Sequence, residues 1–150
     1  MRMPLTRSWS TRMAVGAMAV AAITGVSACS SSQPMGSSAS QATGQHMTAS
    51  DFSTSIAKPG TIVLDVRTPA EYASGHLPQA RNIDIEAADF ATRITTLDKN
   101  ATYAVYCHSG NRSGVALEQM ASAGFTHLYD LAGGIGAWQG MGGPMVMGGS

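Results

Sequence analysis

Residues 107–113 (CHSGNRS) combine the residue types that nucleophilic sulfur chemistry and oxyanion binding require. The segment begins at the last residue of the clearest strand pattern in the chain, residues 102–107. Its end overlaps the start of a helix pattern over residues 112–123. Gly110 allows a tight loop whose N–H groups, together with those of the helix N-terminus, can converge on an anion. Cys107 is therefore expected to react as a thiolate, because converging donors and a helix N-terminus stabilise that anion.

The other side chains of the segment predict an oxyanion site beside the sulfur. Arg112 carries a planar fork that suits sulfonate, thiosulfate or phosphate, and Ser113 can cap the first helical turn or donate to the sulfur. A lone cysteine at a strand end is more often a small buried hydrophobic residue. The glycine, the arginine and the following helix favour the reactive interpretation here. Around the catalytic Cys107, the candidate loop residues are His108, Ser109, Gly110, Asn111, Arg112 and Ser113.

Strand and helix patterns alternate along the chain and predict an α/β domain. Strands are predicted at residues 61–66, 82–85, 102–107 and 125–131, and helices around Phe52, after Pro69, over residues 87–95 and 112–123, and around Trp138. Strands joined by such helices need crossover connections, which give a mostly parallel sheet with helices on both faces. Ligands bind beyond the carboxyl ends of the strands in these sheets, and Cys107 falls at such an end.

Charged residues at the end of the first of these strands are expected to support the loop. We expect Asp65 and Arg67, with Glu71, to form a hydrogen-bonded network beneath it, because buried charges at strand ends are usually paired. A direct catalytic role for these residues is the less favoured interpretation.

No metal site is predicted. His76 and His127 fit structural or surface positions, because no second ligand stands at metal-binding spacing from them. A methionine-rich tail follows Trp138 and ends the chain, but it lacks a neighbouring cysteine or histidine, which disfavours copper binding. Its methionines are Met141, Met145 and Met147.

Composition and charge exclude several classes of protein. The 150 residues, 44% hydrophobic and 12% charged, allow one ordinary domain with a buried core. From residue 29 onward six basic residues stand against nine acidic ones, a net charge of −3, which disfavours a nucleic-acid partner. The only cysteines are Cys29 and Cys107, which excludes a disulfide-rich scaffold and a cysteine-based zinc cluster.

Residues 1–28 predict a lipoprotein-type signal peptide and hence export. Three arginines precede an uncharged apolar stretch at residues 13–26, shorter than the roughly 20 residues that a membrane span needs. Small residues then lead directly to Cys29, and this junction resembles the lipobox of bacterial lipoproteins, whose cysteine is lipidated. The lipid would then anchor the exported chain to a membrane. The predicted location is the outer side of the cytoplasmic membrane, or the periplasm or outer membrane. The alternative is an ordinary secretory signal cleaved after Ala28.

A flexible tether and a globular domain are predicted to follow. Residues 29–46 are rich in serine, glycine and glutamine and lack large apolar side chains except Met35, so they cannot bury enough surface to order themselves. His46 falls within this predicted tether. The globular domain is predicted at residues 47–150.

The domain resembles the single-domain rhodaneses, a family of sulfurtransferases. The resemblance covers roughly residues 62–148 and rests on several motifs in the family's order. They are LDVRTPAEY at residues 64–72, GHL at 75–77, ARNI at 80–83, the loop at 107–113, GGIGAW at 133–138 and GP at 143–144.

This resemblance implies a rhodanese-like fold and a sulfur-transfer cycle without a metal or organic cofactor. Cys107 would take the outer sulfur of a donor such as thiosulfate, a persulfide or a polysulfide. It would hold that sulfur as a persulfide and pass it to cyanide or a thiol. His108 departs from the family's common basic residue at this position, which puts the use of thiosulfate in doubt.

Two other functions remain open at this stage. Phosphatases of this fold separate their cysteine and arginine by five residues, whereas four intervene here, so phosphatase or arsenate reductase activity is the weaker alternative. A membrane-tethered domain that binds persulfides or anions without turnover is the other.

Overall fold

The computed structural model describes residues 44–149, which fold as one parallel sheet flanked by helices. Along this part of the chain the elements are β1 (Gln45–Met47), α1 (Ala49–Ile56), β2 (Thr61–Asp65), α2 (Pro69–Ala73), β3 (Arg81–Asn82), α3 (Phe90–Thr95), β4 (Thr102–Tyr106), α4 (Asn111–Ser122), β5 (Leu128–Leu131) and α5 (Gly134–Gly140). The strand order is β1-β5-β4-β2-β3, and all the pairings are parallel. The predicted α/β class with a mostly parallel sheet is confirmed.

The predicted N-terminal segments lie largely outside the described residues. The signal peptide at residues 1–28, the lipidation site Cys29 and residues 30–43 of the tether all fall there. Within residues 44–149, no helix is both long and apolar enough to cross a membrane.

The sheet separates two hydrophobic clusters, and alternation along β4 assigns its residues to them. Tyr103, Val105 and Cys107 belong to the cluster covered by α3 and α4, whereas Ala104 and Tyr106 belong to the one covered by α1 and α5. Helices therefore cover both faces. Cys107 directly follows the central strand β4 on the face of α4, which places its sulfur at the N-terminus of that helix.

Local signals explain the starts of the first two helices, α1 and α2. The Thr48 side chain accepts the Asp51 N–H at the start of α1. At the start of α2, Thr68 and Glu71 form a reciprocal capping box ahead of Pro69, which is in the first turn. The capping box fixes the orientation of Glu71, whose carboxylate also faces the cysteine loop.

Several element boundaries differ from the sequence prediction. The strand predicted at residues 82–85 is only Arg81–Asn82, although the Ile83 and Ile85 N–H groups still donate to the carbonyls of Asp65 and Val66, at the end of the neighbouring strand β2, at 2.9 and 3.2 Å. The strand predicted from residue 125 begins at Leu128, because the Phe125 N–H closes the end of α4 on the Met120 carbonyl at 3.1 Å. The helix predicted over residues 87–95 is Phe90–Thr95.

The N-terminal edge of the sheet also differs, because Gln45 and His46 lie in β1 and pair with β5. The predicted boundary at residue 47 thus falls inside a strand. Three residues, two of them polar and exposed, carry no alternation that a sequence pattern could reveal.

Candidate active site

Cys107 lies directly after β4, is fully buried, and accepts a hydrogen bond from the loop. The Gly110 N–H donates to its Sγ at 3.1 Å. Gly110 has a φ of +99°, a left-handed conformation in which a side chain would be strained, and α4 begins at the next residue. The loop therefore returns onto its own cysteine, and the partial positive charge of the α4 N-terminus lies at the same place.

A second glycine turn holds the backbone of this loop. The N–H groups of Ile135 and Gly136, in α5, donate to the Cys107 and His108 carbonyls at 2.8 and 3.4 Å. A Cβ on Gly134 would lie 2.5 Å from the carbonyl oxygens of both Cys107 and His108. Only glycine fits there, so the GG pair of the C-terminal motif fixes the cysteine loop from the opposite side.

Arg112 is engaged by two carboxylates. Its Nη1 and Nη2 donate to the two oxygens of Glu71 at 2.8 and 2.7 Å, and Nη1 also donates to Glu86 at 3.2 Å. The hydrogen bond from Arg112 lowers the pKa of Glu71 to about 2, and the Glu71 carboxylate in turn raises the pKa of Arg112. The fork that the sequence assigns to an oxyanion thus faces Glu71 in this structure.

Ser113 turns away from the sulfur. Its buried Oγ lies 2.7 Å from Asp130 Oδ2 and 2.9 Å from the Gly110 carbonyl oxygen. Asp130, in β5, is fully buried, and its Oδ1 lies 2.6 Å from Nδ1 of His46. Neither role predicted for Ser113 is seen among these contacts, because its hydroxyl lies against the Gly110 carbonyl and Asp130 instead of capping an N–H or donating to the sulfur.

The expected pairing of Asp65 with Arg67 is present at the end of β2. Asp65 Oδ1 accepts the backbone N–H and the Nε–H of Arg67 at 2.9 and 3.0 Å, and Arg67 Nη2 donates to the Gly75 carbonyl at 2.7 Å. Burial alone would lower the pKa of Arg67, but the hydrogen bond and charge of Asp65 raise it. The guanidinium lies over the ring of Tyr106, the residue before the cysteine. Glu71 is absent from this pair because it binds Arg112.

Residues 48–141 match the rhodanese-like domain, more than half of the chain. The chain belongs to the rhodanese-like domain family. It is 35% identical to the thiosulfate sulfurtransferase GlpE of Pseudomonas fluorescens (strain SBW25) over 85 residues, 56% of this chain and 75% of that protein. It is 38% identical to the thiosulfate sulfurtransferase PspE of Escherichia coli (strain K12) over 70 residues, 47% of this chain and 67% of that one. A crystal structure of a rhodanese-related protein from Thermoplasma volcanium matches with a TM-score of 0.61 at 33% identity, covering 69% of this chain and 98% of that one.

The other candidate residues of this rhodanese-like domain are three loop residues and two histidines outside the loop. His108, Ser109 and Asn111 are exposed around the cysteine. His76 is buried, stacks on the Tyr72 ring at 3.7 Å and contacts the Tyr72 carbonyl through Nδ1 at 3.0 Å, whereas His127 is exposed. In residues 44–149 no three metal-ligating side chains of the His, Cys, Asp or Glu type come together.

Sequence reasoning missed the partners that come from distant elements. Glu86 and Asp130 received no role, and His46 was placed in a tether. One signal for Asp130 was available, because a carboxylate within the four-residue strand LYDL must be buried with its neighbours and needs a partner. Nothing in the sequence indicates that His46 is that partner.

Proposed function

We propose that this protein is a sulfurtransferase that carries sulfur on Cys107. The observation that carries the proposal is the Cys107 sulfur held at the carboxyl end of β4 by the Gly110 N–H, at the N-terminus of α4. Two relatives, from Pseudomonas fluorescens and Escherichia coli, bear the name thiosulfate sulfurtransferase. A thiolate that accepts a backbone N–H at a helix N-terminus is the kind of group that such a transfer requires.

In the first half of the cycle, the Cys107 thiolate attacks the outer sulfur of the donor. With thiosulfate, a new S–S bond forms on Cys107, the donor's own S–S bond breaks, and sulfite leaves with the bonding electron pair. The product is an anionic persulfide on Cys107. Loop N–H groups and the α4 N-terminus stabilise this anion as they stabilise the thiolate.

In the second half, an acceptor attacks the outer sulfur of the persulfide. Cyanide leaves as thiocyanate, or a thiolate leaves as a persulfide of its own, and the Cys107 thiolate is regenerated. The sequence holds one other cysteine, Cys29. If Cys29 is lipidated, the chain has no resolving thiol, so the acceptor is a separate molecule.

The contacts of Arg112 favour sulfur transfer over phosphatase or arsenate reductase chemistry. Both terminal nitrogens of Arg112 bind Glu71, so the forked edge that would clamp a phosphate is engaged. We assign Arg112 the role of joining α2 to the loop. Donor anions are then held chiefly by loop N–H groups.

We also propose that the protein is exported and anchored by a lipid on Cys29. The proposal rests on the sequence of residues 1–29 alone, in which arginines, an apolar stretch and small residues precede the cysteine. The tether at residues 30–43 would then separate the domain from the membrane.

Thiocyanate formation from thiosulfate and cyanide tests the activity. We expect turnover by the protein carrying Cys29→Ser, in which Cys107 is the only cysteine, and none by the same protein carrying Cys107→Ser. The His127→Asn variant, altered at an exposed histidine before β5, serves as the control with full turnover. Sulfur uptake on Cys107 without thiocyanate would favour a non-catalytic persulfide-binding domain instead.

A further inference from the structure

A histidine at the protein surface is hydrogen-bonded to a buried carboxylate behind the cysteine loop. The His46 side chain is 67% exposed and that of Asp130 is fully buried, yet His46 Nδ1 and Asp130 Oδ1 are 2.6 Å apart. β1 and β5 pair in parallel with His46 directly opposite Asp130, so the two side chains project from the same face of the sheet. This contact covers the carboxylate from the solvent side.

Asp130 also shares a face with the reactive cysteine. It lies opposite Val105 in the pairing of β4 with β5, and Cys107 follows two residues later on the same face. Strand spacing and rise place the Cα atoms of Asp130 and Cys107 roughly 8 Å apart. A negative charge on Asp130 therefore repels a negative charge on the Cys107 sulfur.

Ser113 connects Asp130 to the loop through a single proton. The hydroxyl lies 2.7 Å from Asp130 Oδ2 and 2.9 Å from the Gly110 carbonyl, and it can donate to only one of these two acceptors. When Asp130 is a carboxylate, the hydroxyl donates to it. The hydroxyl then has no proton left for the carbonyl of Gly110, whose N–H binds the Cys107 sulfur, so Asp130 decides whether that carbonyl receives a hydrogen bond.

We propose that His46 is a positioning residue that acts on Cys107 through Asp130 and Ser113. The imidazolium form of His46 donates to Asp130 and balances its charge, so the buried carboxylate opposes the Cys107 thiolate least when His46 is protonated. Without a cation at this position, Asp130 is uncompensated and disfavours the thiolate. An imidazole is the side chain that ordinarily changes charge between pH 5 and 8.

Two other charged side chains bear on the series of contacts formed by His46, Asp130 and Ser113. Glu118 of α4 lines a cavity of about 360 Å³ together with His46, Gly110 and Gly114. Arg112 is the cation that interacts with Cys107 from α4, and it is bound to Glu71. These two charges are the same in all the variants compared below.

The inference deepens the proposed function, because it concerns the reactivity of the same cysteine. Alkylation of Cys107 by iodoacetamide needs no sulfur donor or acceptor, so its outcome is independent of whether the protein transfers sulfur. The test is the pH profile of the alkylation rate between pH 5 and 9, measured by intact mass on the protein carrying Cys29→Ser.

His46→Asn keeps a donor near the position of Nδ1 but cannot take a charge. We expect it to slow alkylation at pH 6 by about threefold or more, because the cation that balances Asp130 is missing, and to differ less from the parent at pH 9. His46→Lys, which restores a cation, should recover the rate at pH 6. His127→Asn is the matched control and should follow the parent profile throughout.

Asp130→Asn supplies the deciding comparison. If His46 acts by balancing Asp130, adding Asp130→Asn to His46→Asn should restore the rate at pH 6. Additive losses in the double variant, or a His46→Asn profile identical to the parent, would overturn the proposal. Should Asp130→Asn fail to fold by circular dichroism, the His46→Asn and His46→Lys profiles decide the question by themselves, since His46 is on the surface.

Discussion

Arg112 and Glu71 face each other edge to edge, with both terminal nitrogens of the guanidinium bound to both carboxylate oxygens at 2.7 and 2.8 Å. The pair joins α4 to α2 across 41 residues of chain. It also neutralises the cation that would otherwise attract an anionic sulfur donor. If the protein transfers sulfur as proposed, this geometry predicts that Glu71 influences donor choice.

Glu71→Gln should improve the use of thiosulfate. The variant keeps the capping box of α2, because glutamine also accepts from the Thr68 N–H, but it frees the guanidinium to bind an anion. We expect the KM for thiosulfate to fall several-fold in the thiocyanate assay with kcat little changed. Asp89→Asn removes an equivalent charge from an exposed position whose side chain makes no cap hydrogen bond, and it serves as the control. A KM equal to that of the parent would show that Arg112 remains bound elsewhere.

The same ion pair should stabilise the fold in a defined pH range. The hydrogen bond from Arg112 lowers the pKa of Glu71 to about 2 in the folded protein, from about 4.3 in an unfolded chain. A lowered pKa contributes stability above the unfolded value, and this contribution disappears as the pH falls from about 4 towards 2. Urea unfolding of the parent and of Glu71→Gln should therefore show a difference in the free energy of unfolding that is constant near neutrality and shrinks below about pH 4. A difference independent of pH would contradict this assignment.

The sequence predicted the parts of the site that are contiguous in the chain. Cys107, Gly110 and the α4 N-terminus lie within a few residues of one another. Their types and spacing are therefore enough to indicate a cysteine whose thiolate form is stabilised by its surroundings. The hydrogen bond of His46 with Asp130 spans 84 residues and depends on which strand pairs with β5. Strand order is a property of the whole sheet, and a three-residue polar edge strand has no periodicity to reveal it.

The role of Arg112 also depends on a contact with a residue that is distant in the sequence. A lone guanidinium beside a thiol predicts anion binding, and this inference is sound only while no carboxylate competes for it. The helix cap at Thr68 orients Glu71 towards the loop, but the contact itself becomes visible only when α2 and α4 are assembled.

The glycine pair at the start of α5, Gly133 and Gly134, should tolerate no side chain at its second position. A Cβ on Gly134 would collide with the Cys107 and His108 backbone, and its φ of +59° is itself strained for other residues. Gly134→Ala should lower the free energy of unfolding by about 1–3 kcal/mol and reduce turnover as the loop shifts. Gly140, at the end of the same helix, has open space around it, so Gly140→Ala should leave activity intact and change stability by less than about 1 kcal/mol. Equal behaviour of the two variants would show that α5 does not hold the loop.

The lipid anchor can be tested independently of activity. If Cys29 is lipidated, the mature protein from a bacterial host should partition into the membrane fraction and begin at a cysteine whose mass includes acyl chains. Cys29→Ser should remove both properties. An unmodified, water-soluble mature protein beginning at Cys29 would instead indicate an ordinary secretory signal.

The most direct test of the sulfurtransferase account is the intact mass of the protein carrying Cys29→Ser before and after thiosulfate, and again after cyanide. The account predicts a gain of one sulfur atom that cyanide removes with release of one thiocyanate, and no gain when Cys107 is also replaced by serine. No gain with either thiosulfate or a polysulfide donor, or an equal gain in the Cys107→Ser protein, would contradict it.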